Sequence, residues 1–182
     1  AEFGITSISF LANGIIYDVV VEAKDTTKTG TFYQRVSTID STTDNYLIVS
    51  AEGYFALTQG TTNNTPVTLT QVPGNPDYYE IDGVTNAMRW RFGTRVTGTR
   101  GTSTIRNRGN TSYYVNMNNT TFINTSSYAN QLTYVTDDKV WRISNGSYYL
   151  TEHGNAAFAR SNRGASSNNG TDTYVNDRDM II

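Results

Sequence analysis

Six arginines carry the first hint of chemistry: Arg89, Arg91, Arg95, Arg100, Arg106 and Arg108. Residues 83–136 contain these six and no Lys, Asp or Glu, a local charge of +6. Residues 1–82 hold ten acids and three bases, and residues 137–182 come to −1. A guanidinium grips phosphate, sulfate or carboxylate through two parallel hydrogen bonds, which lysine cannot do. The cluster is therefore a candidate patch for an anionic ligand: a sulfated or acidic polysaccharide, a sialylated glycan, a phospholipid or a nucleic acid. The competing expectation is pairing with the acidic N-terminal part, since exposed ion pairs contribute little individually. The whole chain carries −2, so nucleic acid is the least favoured of these partners.

Tyrosine is the second candidate. Thirteen occur, several doubled: Tyr78/Tyr79, Tyr113/Tyr114 and Tyr148/Tyr149. On a strand, neighbours face opposite sides, so one ring of each doublet is expected in the core and the other outside. An exposed ring can stack on the apolar face of a pyranose while amides bind its hydroxyls. Tyr113 with Asn116, Asn118 and Asn119 is one candidate sugar site beside the arginines. Tyr148 with His153 and Asn155 is a second, equivalent one. Ordinary cross-strand packing is the alternative for any single tyrosine.

Other chemistries find little support. There is no Cys, hence no disulfide framework, thiolate metal site or Cys nucleophile. The single histidine, His153, sits at an expected turn beside Glu152, with no orienting acid or nucleophile at a telling spacing. No Gly-rich phosphate loop, GxSxG elbow or HExxH motif is present. Asp40, Asp44, Glu52, Asp77, Glu80 and Asp82 could pair for glycoside hydrolysis, but sixteen acids always contain adjacent pairs. The residues point away from an enzyme, and no cofactor or metal is implied.

The elements that must position these residues are strands. Thr occurs 29 times, Asn 19, Gly 15 and Ser 14, while Ala, Leu, Lys and Glu are scarce. Good helix formers are thus missing, strand formers abound, and Asn and Gly supply turns. Strand starts recur at the spacing of sandwiches and barrels. Two hairpins are signalled by Asn13-Gly14 and Asn145-Gly146 between alternating segments. Alternation in "RWRF" sends Arg89 and Arg91 to one face, and Trp90 and Phe92 to the core. Residues 1–182 are expected to form a single all-β domain. Ala1, Glu2 and Phe3 resemble the cloning remnant of a yeast-secretion cassette. No charged-then-apolar leader opens the sequence, and no apolar run suits membrane insertion.

The sequence also repeats itself. Tyr46, Tyr114 and Tyr149 are each followed, eight or nine residues on, by Phe55, Phe122 and Phe158. A third strand and a fourth after Asp77, Asp138 and Asp177 complete three four-strand copies, interrupted by residues 82–110. Counting from the doublets Tyr78, Tyr113 and Tyr148 instead gives four or five shorter units, as in a ring or small propeller.

Residues 46–81 run through Tyr46-Leu47, a polar turn with Gly53, an apolar strand, a loop, a strand with Leu69 and a strand ending at Ile81. This order resembles one lobe of a β-trefoil, as in the fascin, fibroblast-growth-factor and ricin-B-like groups. The Gln-x-Trp signature of ricin-type lectins is absent, and Trp90 and Trp141 stand instead in "RWRF" and "VWRI". The expected fold is therefore a β-trefoil-like, pseudo-threefold arrangement with an N-terminal extension, with a small propeller or sandwich as the alternative. The resemblance implies a non-catalytic, lectin-like protein, secreted or extracellular, with glycans as partners. Its alternatives are a trefoil protease inhibitor presenting loop 61–66 or 161–171, or a viral or phage attachment domain.

Overall fold

The structure, a computed structural model, describes residues 6–12, 15–21, 31–43, 45–51, 54–59, 64–152, 158–162 and 177–182. The chain forms two compact units, Ala1–Gly30 and Thr31–Ile182.

The first unit is a hairpin. Strands β1 (Thr6–Ala12) and β2 (Ile15–Val21) pair antiparallel, with Ala12 opposite Ile15 and Thr6 opposite Val21. That register leaves two residues for the connection, as Asn13-Gly14 predicts. The turn itself lies outside the described residues.

The second unit is all-β. Its strands are β3 (Thr31–Gln34), β4 (Val49–Ser50), β5 (Phe55–Leu57), β6 (Asn64–Pro66), β7 (Leu69–Val72) and β8 (Asn75–Ile81). A 3-10 turn, Asn86–Met88, precedes β9 (Trp90–Phe92), β10 (Arg100–Ser103), β11 (Ile105–Asn107), β12 (Tyr114–Val115) and β13 (Ile123–Asn124). Then come β14 (Asn130–Val135), β15 (Val140–Ser144), β16 (Tyr149–Thr151), β17 (Ala159–Ser161) and β18 (Met180–Ile181). Among the described residues no helix is long and apolar enough to cross a membrane.

Among the described residues the strands of this second unit form three antiparallel sheets. One has the order β3-β8-β7 and one β13-β12-β11-β9. The third follows β10-β14-β15-β18-β4-β5-β6, with β16 beside β15 and β17 beside β16. Short backbone bridges tie these sheets together. Ile39 and Val96 exchange hydrogen bonds of 2.8 and 2.9 Å, as Tyr46 and Trp90 do at 3.1 and 2.8 Å. Val36 N–H donates to the carbonyl of Ile182 at 2.8 Å.

Alternation decides what is buried. On β9, Trp90 and Phe92 are buried and Arg91 is exposed, as the sequence predicts. Both indoles reach a carbonyl across the core: Trp90 Nε1–H donates to Leu57 at 3.0 Å, and Trp141 Nε1–H to Val36 at 2.8 Å. A buried indole that lacked an acceptor would be costly, so these bonds fix how the large side chains seat. Tyr46 meets Phe92 edge-on, with ring centroids 5.2 Å apart.

Three short hairpins follow the Tyr-to-Phe spacing. They pair Val49 with Ala56, Val115 with Ile123, and Thr151 with Ala159. The aromatic residues that mark the three copies differ in burial. Phe122 and Phe158 are buried, and Tyr46 and Phe55 pack against the main core. Tyr114 and Tyr149 are only half-buried and line surface grooves. The interrupting residues 82–110 supply the 3-10 turn and β9, β10 and β11.

Asparagine builds the loops. The side-chain oxygens of Asn110, Asn116, Asn119 and Asn124 each accept the backbone N–H two residues on, at 2.7–3.2 Å. Such Asx turns satisfy the backbone locally, which explains part of the asparagine excess. Asn145 accepts from both Ser147 and Tyr148, at 3.0 and 2.8 Å. With Ser144 opposite Tyr149 and Asn145 N–H donating to Tyr148 C=O at 3.0 Å, the two-residue turn falls on Gly146-Ser147, one residue beyond Asn145-Gly146.

Candidate functional site

The four-stranded sheet β13-β12-β11-β9 positions the principal candidate. In its centre Ile105 lies opposite both Phe92 and Val115, and all three are fully buried. Alternation then sends the next cross-strand row outward. Arg106 lies opposite Arg91 on β9 and opposite Tyr114 on β12. With Gly93 and Thr104 these three residues line a groove of about 330 Å³. The backbone is close at one wall: Gly93 N–H donates to Thr104 C=O at 2.9 Å, and a Cβ at Gly93 would collide with Thr104 Oγ1. A side chain at Gly93 would therefore force the Thr104 hydroxyl to move.

The electrostatics of this row are unusual. Two like charges directly opposite on antiparallel strands repel. Arg91 Nε–H donates to the carbonyl of Ser41 at 3.3 Å, and neither arginine forms an ion pair among the described residues. A bound anion would turn that repulsion into a two-sided clamp.

The other four arginines go elsewhere. Arg89 is half-buried and donates to Asn86 Oδ1 at 3.3 Å. Arg108 donates to the side-chain oxygen of Asn45, and its N–H donates to the Arg89 carbonyl at 2.9 Å. Arg95 is exposed near Asp40. The Thr42 N–H and hydroxyl, helped by the Arg95 charge, hold the Asp40 carboxyl below its ordinary value. Arg100 stands on β10 in the largest sheet and lines a second groove. Of the six, only Arg91 and Arg106 line the groove beside Tyr114.

The sequence-derived sugar contacts are rearranged. Tyr113 packs against the main core, so the outward ring of that doublet is Tyr114. Asn116 is buried, and its amide is spent on Ser126 C=O at 3.1 Å and Asn118 N–H at 3.1 Å. Asn118 and Asn119 remain exposed on the same loop. The ring of Tyr148 is covered by the Arg160 guanidinium, 3.4 Å from its centroid. Arg160 Nε–H also donates to the Met117 carbonyl at 2.6 Å, so it links the two loops expected to bind sugar. His153 and Asn155 lie outside the described residues.

Sequence reading missed Tyr114, Gly93 and Thr104. The signal was the outward alternation of Arg106 between Ile105 and Asn107; what it lacked was the register that sets Tyr114 beside it. Also unforeseen is Glu152, buried, with Oε2 accepting the Ser50 hydroxyl at 2.7 Å. Among the described residues no three acidic or histidine side chains gather to hold a metal. No protein-family model, no curated protein and no solved structure matches this chain.

Proposed function

We propose that this chain is a non-catalytic glycan-binding protein that takes acidic or sulfated sugars in the groove of Arg91, Arg106 and Tyr114. The observation that carries the reading is the cross-strand row itself. Two guanidiniums oppose each other with no carboxylate partner among the described residues, next to an outward tyrosine ring. A sulfate or carboxylate would sit between the guanidiniums, and the ring would stack on the sugar that bears it. An extracellular setting fits the hydroxyl- and amide-rich composition. A β-trefoil-like arrangement is supported by the three short hairpins and by the bridges joining Val36 to Ile182 and Ile39 to Val96.

The test is a glycan array probed at low and at about 0.5 M salt, where exposed charge interactions are screened. Binding to sulfated or carboxylated glycans should fade at high salt, and Arg106→Gln should abolish it. No acidic-glycan binding, or binding indifferent to Arg91→Gln and Arg106→Gln together, would sink the assignment.

A further inference from the structure

The groove around Arg100 has a different character. Strands β10, β14, β15 and β16 lie side by side, and their pairing sets Thr102, Gln131, Ser144 and Tyr149 in one cross-strand row. Directly paired residues point to the same side of a sheet. The neighbouring row on that side is Arg100, Thr133 and Arg142. Leu132 and Ile143, on the opposite face, are buried in the core. The outward face thus offers hydroxyls, an amide and a phenol ring, over a groove of about 560 Å³.

Three details make this face more than a solvated one. Ser144 is buried yet lines the groove; its Oγ accepts the Gly146 N–H at 3.3 Å, which leaves its own proton to donate outward. Charge is muted: Arg142 is tied to Asp179 at 2.7 Å, leaving Arg100 at the rim. Finally, Gly146 has φ of +94°, which carries the β15–β16 loop around the end of the row, and a Cβ there would press on the Gln131 amide.

We infer that the row Thr102, Gln131, Ser144 and Tyr149 is a second binding site, for a neutral oligosaccharide. Three strand steps of about 4.8 Å make the row about 14 Å long, the span of a short oligosaccharide. The hydroxyls and the Gln131 amide take sugar hydroxyls as donors and acceptors, and Tyr149 closes one end with an aromatic wall. Arg178 already lies over the Tyr149 ring, 5.2 Å from its centroid, which orients the phenol. This site does not depend on the anionic groove.

The experiment uses the full 182-residue chain, labelled with ¹⁵N, and four neutral trisaccharides as probes: maltotriose, cellotriose, xylotriose and triacetylchitotriose. At least one should shift the amide signals of residues 100–103, 130–133 and 144–149, and the Gln131 side-chain amide. The shifts should persist at about 0.5 M salt, because no charge is screened. Gln131→Ala and Thr102→Ala, both at exposed positions, should each weaken binding about three- to tenfold, one net hydrogen bond apiece. Arg91→Gln should leave that binding unchanged, which separates this site from the acidic-glycan groove. Silence with all four trisaccharides would overturn the assignment, as would shifts that map elsewhere or survive both alanine variants.

Discussion

Arg106 lies opposite a like charge on the neighbouring strand, an arrangement that works against stability unless an anion sits between the two. Replacing it by Gln removes the repulsion with Arg91, so the ligand-free protein should hold or gain stability, by at most about 0.5 kcal/mol. Urea midpoints of the two proteins check this, with the acidic-glycan affinity lost in parallel. A fall in midpoint would mean that Arg106 has a structural partner. Asp40 and Tyr46 respond to pH in opposite directions. Asp40 has a folded value below its ordinary 3.8, so it favours the fold above that pH, and the benefit disappears as pH falls through the folded value. Thr42→Ala should move the Asp40 titration, followed by carboxyl NMR, back toward 3.8, because the hydroxyl bond is gone. Burial raises the Tyr46 phenol above 10.0; its benefit is present below that pH and lost as pH rises through the folded value. The Tyr46 hydroxyl also accepts the Asp40 N–H at 2.6 Å, so Tyr46→Phe would leave that N–H to water.

At the scale of elements, Asn130 is the most exacting residue. It is fully buried at the start of β14; its oxygen accepts Met117 N–H at 2.9 Å and its amide donates to Val115 C=O at 2.8 Å. Asn130→Ala orphans groups on the strand and loop it ties, and should destabilise by roughly 2–4 kcal/mol in denaturant unfolding. A loss below about 0.5 kcal/mol would mean that water replaces the amide. Strands were legible where alternation was clean: "RWRF" declared both its buried and its exposed side. The Asn-Gly hairpins were legible as hairpins, but the register of the second was not, since Asn145 pairs with Tyr148 and leaves the turn to Gly146-Ser147. Doublets were not legible either. Tyr113 and Tyr114 are chemically equal, and only pairing with β11 decides which turns outward. Asn130 was not legible, because apart from the nearby Tyr128 carbonyl the partners of its side chain lie 13 and 15 residues away.

For the molecule as a whole, β18 joins parts of the chain that are far apart in sequence. Met180 pairs with Trp141 on one side and Ser50 on the other, and is completely buried. Met180→Ala should cost about 2–5 kcal/mol and lower the single unfolding midpoint, measured by tryptophan fluorescence. If only one indole environment changed, the regions around Trp90 and Trp141 would unfold independently. The way the loops are made has a separate consequence. The exposed Asx turns at Asn110 and Asn119 are closed by their own asparagines and ask little of the core beneath them. The information for a loop is therefore written within a few adjacent residues, and the information for the core is written elsewhere. A lineage could rewrite one loop edge, residue by residue or as an exchanged segment, while the sheets stayed the same. For this fold, loop surface and architecture can evolve on separate clocks.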